Sequence, residues 1–169
     1  AACGMASIFA AMTYVESAQR AHFLLSAALL PVALVFDVLD GRIARWRRRH
    51  SAMGRELDSL SDVISFGVAP AVLAFAAGMR GPWDRAVLIY FVACGVSRLA
   101  RFNVTAEEMS AGSDKVKYFE GTPIPSSVLL VLVLGTAGWL GAVGEQLWFG
   151  AVTLGRGLLH PLVLMFAVS

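Results

Sequence analysis

Long apolar stretches alternate with short polar ones along most of this chain. A helix that crosses a membrane needs about 20 mainly apolar residues. Six stretches fit such helices, although the first and the last are shorter than a full span. They run over residues 1–15, 22–45, 57–79, 86–102, 124–143 and 158–169. The pattern predicts an all-α protein, a polytopic membrane bundle of six transmembrane helices that forms one domain over residues 1–169.

The composition supports a membrane protein. Hydrophobic residues make up 57% of the chain and charged residues 15%, whereas a soluble domain carries about 25% charged residues. Cys3 and Cys94 lie far apart and outside any Cys or His pattern, which predicts buried small side chains and disfavours a disulfide or a zinc site. The chain starts without Met inside one apolar run and ends inside another, which indicates a segment of a longer protein.

Lysine and arginine are distributed unequally between the two predicted sides of the membrane. Four arginines fall on one side, and the ten other basic residues fall on the side of the connections over 46–54 and 104–121. Cytoplasmic loops carry the excess of basic residues. The richer side is therefore predicted to be cytoplasmic, in a cell (inner) membrane. The net charge of +2 gives no indication of a nucleic-acid partner.

Four of the six aspartates lie in one stretch of 26 residues at this predicted cytoplasmic side. Each helical residue advances about 100°, so Asp37 and Asp40 share one face of the second helix. Asp58 and Asp62 are four residues apart and share a face of the third helix. The connection between the two helices is short enough to make them antiparallel neighbours. The four carboxylates are therefore predicted to converge in one pocket near the membrane interface.

Converging carboxylates repel one another unless a cation lies among them. Ligands that are all oxygen suit Mg²⁺, Mn²⁺ or Ca²⁺, and four carboxylates can bridge two such ions, as in sites that act on phosphates. Gly41 and Ala44 would let a bulky ligand approach the helix backbone, and Arg45 could pair with a phosphate or a base. The alternative is a solvated helix end with surface ion pairs, which the combined spacing disfavours.

The spacing D-x2-D-G-x2-A-R-x8-G-x3-D-x3-D resembles the signature of the CDP-alcohol phosphotransferase family. Its eight fixed positions are filled by Asp37, Asp40, Gly41, Ala44, Arg45, Gly54, Asp58 and Asp62. The resemblance implies an integral membrane enzyme with six helices, usually a homodimer. Such an enzyme transfers a substituted phosphate from a CDP-linked donor to an alcohol and releases CMP.

The resemblance also implies roles for the matching residues. Two divalent cations, Mg²⁺ or Mn²⁺, would be held by Asp37, Asp40, Asp58 and Asp62. Asp62 would in addition be the catalytic base that takes the proton of the acceptor hydroxyl. The CDP moiety would be bound by Gly41, Ala44, Arg45, Ser51 and Gly54.

Three further strings, over 65–71, 97–103 and 118–125, resemble those of the integral-membrane phosphatidylserine synthases within this family. The resemblance implies CDP-diacylglycerol as the donor and L-serine as the acceptor. Other acceptors remain open, namely glycerol 3-phosphate, inositol phosphate and choline. A different class, an ion-coupled membrane carrier, would bind its substrate at the membrane midplane, whereas these aspartates lie near one interface.

A serine site needs a cation for the carboxylate of the amino acid and an anion for its ammonium group. Arg98 and Arg101 lie three residues apart at the cytoplasmic end of the fourth predicted helix, so one of them could bind the carboxylate. Glu120 could bind the ammonium group. Alternatively, the two arginines anchor the helix end to lipid phosphates or pair with Glu120.

Overall fold

The computed structural model describes residues 1–46, 52–111, 127–143, 150, 152–154 and 157–168. Helices make up most of this part of the chain. Before the gap at 112–126 the elements are α1 (Ala2–Ser17), α2 (Arg20–Trp46), α3 (Ala52–Asp62), a π-helical segment (Val63–Val68), α4 (Ala69–Ala76) and α5 (Pro82–Ala111). After the gap they are α6 (Ser127–Trp139), strands β1 (Val152–Leu154) and β2 (Gly157–Leu159), a 3-10 turn (Pro161–Val163) and α7 (Leu164–Val168).

Three helical stretches are long and apolar enough to cross a membrane. They are Arg20–Asp40 in α2, Glu56–Ala76 from α3 through the π segment to α4, and Pro82–Val104 in α5. Helix α6 is apolar but shorter, with 13 residues. These stretches confirm the predicted all-α membrane class, and the protein is an integral membrane protein.

The first five predicted helices coincide with observed ones, apart from residues 124–126, which lie outside the described part. The sixth, predicted over 158–169, begins later than expected, because only residues 161–168 are helical. Residues 157–159 instead form β2, which pairs antiparallel with β1, and α7 has only five residues. The reason is Pro161: it has no backbone N–H, and it favours an extended conformation for the residue before it. His160 has such a conformation, with φ −90° and ψ 121°.

Helices α1 and α2 are joined by a buried serine pair. The Ser7 hydroxyl donates to the Ser26 carbonyl at 2.9 Å, and the Ser26 hydroxyl donates to the Ser7 carbonyl at 2.8 Å. Small polar side chains allow helices to approach closely in a membrane while their hydroxyls remain hydrogen-bonded. The pair therefore fixes α1 beside α2.

The central packing involves α2, α4 and α6. Leu30, Leu73 and Val131 are fully buried there. Gly138 of α6 lies against the ring of Phe23 in α2, and a Cβ atom at this position would overlap the ring. The close approach of α6 to α2 therefore depends on a residue that has no side chain.

The N-terminus of α5 is held by the Asp84 cluster, which consists of Asp84, Gly81 and His160. Asp84 is fully buried. Its carboxyl group accepts hydrogen bonds from Gly81 N at 2.9 Å and His160 N at 2.8 Å, and it lies 2.6 Å from His160 Nδ1. The first contact is one half of a capping box, since Asp84 is the third residue of α5 and reaches back to the N-cap. The other two attach the C-terminal hairpin to α5.

The expected burial of the cysteines is wrong. Cys94 is exposed, Cys3 is partly buried, and both are free thiols. Cys94 lies on the outer face of α5 beside the exposed Tyr90. A thiol behaves as a small apolar group, so it suits a helix face that meets lipid as well as one that meets protein.

Candidate functional site

The four predicted aspartates line one pocket of about 380 Å³. Four elements form its walls: the start of α1, the C-terminal half of α2, helix α3 and the π segment. The lining residues are Ala1, Ala2, Cys3, Ala33, Phe36, Asp37, Asp40, Asp58, Ser61, Asp62, Ser65 and Phe66. The convergence predicted from helical spacing is therefore present in the structure.

The aspartates form an inner and an outer pair. Asp37 and Asp62 are partly buried, whereas Asp40 and Asp58 are exposed. The carboxyl groups of the inner pair lie close together, and Asp58 lies near enough to act electrostatically on both. The pocket thus concentrates negative charge from two helices in a small volume.

The pocket lies near one boundary of the membrane. Asp37 is three residues from the end of the span Arg20–Asp40, and Asp62 is six residues from the start of the span Glu56–Ala76. The two spans follow each other in the chain, and both positions lie within about two helical turns of the same boundary. A head group can reach this depth while the acyl chains of its lipid stay in the bilayer.

The π segment begins directly after Asp62 and supplies Ser65 and Phe66 to the pocket. Helix α1 lies tightly against it, because a Cβ atom on Gly4 would come within 2.6 Å of Ser65 Oγ. π turns within helices occur frequently at functional sites. The wider turn lets Ser65 line the pocket while the next turns pack into the core.

Ser61 and Ser65 are pocket residues that the motif does not contain. Asp58, Ser61, Asp62 and Ser65 are nevertheless spaced i, i+3, i+4 and i+7, which is one face of a helix. This polar stripe within an apolar stretch could have revealed both serines from the sequence. Nothing in the sequence indicates that Phe66 lines the pocket.

The donor chemistry of the pocket fits a divalent cation, since carboxylate oxygens are the ligands that Mg²⁺, Mn²⁺ and Ca²⁺ take. Among the residues that the structure describes, no three His, Cys, Asp or Glu side chains already stand so that they could hold one ion. Asp40 and Asp58 are exposed, and Asp37 and Asp62 are partly buried. The pocket therefore provides carboxylate donors that suit a divalent cation.

The residues predicted to bind CDP lie around the same ends of α2 and α3. Gly41 and Ala44 follow Asp40 in α2, and Gly54 lies one turn before Asp58 in α3. The side chain of Arg45 and the whole of Ser51 fall outside the described part of the chain. Their predicted contacts with CDP stay predictions.

The structure gives less support for the residues predicted to bind the acceptor. Arg98 and Arg101 lie on α5 and are not among the described residues that line the pocket. Arg101 Nη2 lies 3.5 Å from Ser97 Oγ. Glu120 falls outside the described residues. The acceptor site therefore stays a prediction.

A hydrogen-bonded pair joins α5 to the helix that carries Asp58 and Asp62. Asn103 Nδ2 donates to Ser59 Oγ at 2.9 Å, and the Ser59 hydroxyl lies 3.3 Å from Asn103 Oδ1. Because Ser59 directly follows Asp58, this contact fixes the arginine-bearing part of α5 relative to the pocket.

The chain is similar to known proteins of one family. The family model described as CDP-alcohol phosphatidyltransferase matches residues 1–167. Among curated relatives, the chain is 45% identical over 153 residues to a protein named CDP-diacylglycerol--serine O-phosphatidyltransferase from Saccharomyces cerevisiae. This alignment covers 89% of the chain and 54% of the relative.

Proteins with the same name from a bacterium and an archaeon also match. The one from Helicobacter pylori is 41% identical over 77% of the chain and 51% of the relative. The one from Methanocaldococcus jannaschii is 38% identical over 75% of the chain and 58% of the relative. The chain thus spans about half the length of these curated relatives. The match over residues 1–167 and the four aspartates in one pocket lead to one conclusion: the chain belongs to the CDP-alcohol phosphatidyltransferase family.

Proposed function

We propose that the protein is a phosphatidylserine synthase, which transfers the phosphatidyl group of CDP-diacylglycerol to the hydroxyl of L-serine and releases CMP. The observation that carries this proposal is the pocket at the membrane boundary, into which α2 and α3 bring all four motif aspartates. The choice of serine rests on the relatives, which are named for that acceptor.

In this proposal two divalent cations, Mg²⁺ or Mn²⁺, would be held by Asp37, Asp40, Asp58 and Asp62. Support comes from the all-carboxylate donor set and from the family, which is generally dependent on divalent metals. When bound, such ions neutralise the pyrophosphate and stabilise the charge that develops on the leaving CMP.

Asp62 is the proposed general base. It is partly buried at the inner end of the pocket, beside Ser61 and Ser65. Its carboxylate takes the proton of the serine hydroxyl, and the serine oxygen then attacks the β-phosphorus of CDP-diacylglycerol. The bond from this phosphorus to the oxygen of CMP breaks, and CMP leaves with the electron pair.

Separate sets of residues would bind the donor and the acceptor. Gly41, Ala44, Arg45, Ser51 and Gly54 would bind the CDP moiety at the ends of α2 and α3. The lipid tails of the donor remain in the bilayer. Arg98 or Arg101 would bind the carboxylate of serine, and Glu120 its ammonium group.

The remaining features of the proposal concern the whole protein. In this proposal the pocket lies at the cytoplasmic face of a cell (inner) membrane, and the excess of Lys and Arg on that side of the predicted spans supports the cytoplasmic face. The chain forms a single domain over residues 1–169, and the enzyme acts as a homodimer, as the family resemblance implies.

The test is a panel of acceptors with CDP-diacylglycerol as the donor and Mg²⁺ or Mn²⁺ in the buffer. We expect release of CMP that requires serine and is abolished by a chelator. Preferential use of glycerol 3-phosphate, inositol phosphate or choline would replace serine as the acceptor. A folded protein that releases no CMP with any acceptor would refute the enzymatic proposal and favour a carrier.

The proposed base is tested by Asp62→Asn. This change keeps the shape of the side chain and removes its ability to accept a proton, so turnover should fall at least about 100-fold. Binding of CDP-diacylglycerol, measured by its retention on the purified protein, should remain. Glu16→Gln, an exposed change at the end of α1, is the control. Near-normal turnover by Asp62→Asn would refute the assignment.

A further inference from the structure

A second charged feature lies at the membrane boundary opposite the aspartate pocket. Arg80 and Arg85 are both exposed. Arg80 lies in the connection between the spans Glu56–Ala76 and Pro82–Val104, and Arg85 lies in the first turn of the second span. The aspartates lie near the other end of the first of these spans. The two arginines therefore lie at head-group depth on the far side of the membrane.

The two guanidinium groups are arranged around one aromatic ring. Arg80 Cζ lies 5.5 Å and Arg85 Cζ 6.0 Å from the centre of the Phe75 ring. Arg80 Nε also donates to the Phe75 carbonyl at 3.4 Å, and Arg85 Nε donates to the Arg80 carbonyl at 3.0 Å. Cation–π contacts and Nε bonds thus orient both side chains at the same place.

Within the described part of the chain, these contacts use the face of the Phe75 ring and the Nε atoms, and no acceptor is bonded to the terminal nitrogens of either arginine. The acidic residue closest in sequence, Asp84, is fully buried and bonded to Gly81 and His160. Over the ranges that the structure describes, no Asp or Glu side chain forms a salt bridge with Arg80 or Arg85. The positive charge of the two guanidinium groups is therefore not balanced by a described carboxylate.

We propose that Arg80 and Arg85 together bind the phosphate group of an anionic phospholipid on the membrane face opposite the aspartate pocket. The terminal nitrogens of a guanidinium group match the oxygens of a phosphate in bidentate geometry. Two such groups favour a head group with net negative charge. Trp83 lies between them in sequence and is 49% exposed, which suits a side chain at the lipid–water interface.

The proposal is tested with the purified protein in detergent by titrating short-chain phosphatidylglycerol and following the midpoint of thermal unfolding. A ligand that binds the folded state raises this midpoint. In the double variant Arg80→Gln, Arg85→Gln, the half-saturating lipid concentration should rise at least about tenfold, the factor that 1.4 kcal/mol of lost binding free energy gives. Short-chain phosphatidylcholine should produce a much smaller shift in the unchanged protein.

Two controls separate a phosphate site from general charge or lost folding. Arg80→Lys, Arg85→Lys keeps both charges and removes the bidentate geometry, so its affinity should lie between those of the other two proteins. Arg20→Gln removes an exposed arginine at the same end of the spans and should leave the titration unchanged. Release of CMP does not involve Arg80 or Arg85, so it reports separately on the proposed function.

Equal affinity for phosphatidylglycerol in the unchanged protein and the glutamine double variant would overturn the proposal. Full affinity in the lysine variant would overturn the bidentate geometry. Inorganic phosphate is the remaining arm of the experiment. If it alone reproduced the arginine-dependent shift at the same phosphate concentration, the site would bind free phosphate and the lipid would be excluded as its specific ligand.

Discussion

Replacement of Asp84 by alanine should destabilise the protein strongly, although this residue lies far from the aspartate pocket. The change removes a fully buried carboxyl group on which two backbone N–H groups and one imidazole nitrogen converge. Gly81 N and His160 N would lose their acceptor. Alanine brings no substitute, and the hairpin would lose its attachment to α5.

The magnitude follows from the number of donors left behind. Each buried donor that loses its partner costs about 1–3 kcal/mol, and Asp84 is the acceptor for two backbone donors and contacts one imidazole nitrogen. We expect a loss of about 3–5 kcal/mol in the free energy of unfolding for Asp84→Ala. His160→Ala should cost less, because Asp84 would still accept hydrogen bonds from both backbone N–H groups.

Unfolding of the purified protein in mixed micelles with increasing sodium dodecyl sulfate, followed by circular dichroism, measures these differences. Glu16→Ala removes an exposed carboxylate and should change stability by no more than about 0.5 kcal/mol. A loss below about 1 kcal/mol for Asp84→Ala would refute the reasoning. So would a larger loss for His160→Ala than for Asp84→Ala, because the side chain of His160 would then matter more than the two backbone donors.

Two further predictions concern contacts between helices. Gly138→Ala should destabilise the protein by about 1–3 kcal/mol in the same assay, because the new Cβ atom overlaps the ring of Phe23. The control is Gly95→Ala, which has open space around the new atom and should be neutral or stabilising. Equal effects of the two changes would contradict this packing. Asn103→Ala should raise the KM for serine about 2–10-fold with little change in kcat, since one hydrogen bond of about 0.5–1.5 kcal/mol positions α5. In a protein that already carries Ser59→Ala, the change Asn103→Ala should have little further effect on the KM for serine. Additive effects of the two changes would disprove the hydrogen bond between these side chains as their common cause.

The aspartate pocket was predictable because helical periodicity acts over short distances. Three- and four-residue spacings place Asp37 with Asp40 and Asp58 with Asp62 on common faces, whatever the rest of the fold does. The short connection between the two helices then makes them neighbours. The helical spans were predictable for the same kind of reason, since length and apolar content decide whether a helix can cross a bilayer.

The contacts that hold the C-terminal part were not predictable in this way. Asp84 and His160 are 76 residues apart in sequence, and no local pattern links them. The apolar run from 158 favours a helix by composition, but Pro161 and strand pairing override it. Nothing in the apolar run after Asp62 distinguishes the π segment from an ordinary helix, so a continuous α-helix was the expected result.

The π segment makes the number of residues between Asp62 and Ala69 matter as much as their identity. A π turn bonds each residue to one position further along the chain than an α turn does, so it accommodates an extra residue. Deleting one residue from 63–68 would therefore let the segment form an ordinary α-helix while Asp58 and Asp62 keep about the same orientation relative to α4. A second deletion would rotate the two aspartates by about 100° relative to the core that orients them, because no wide turn would remain to take up the change.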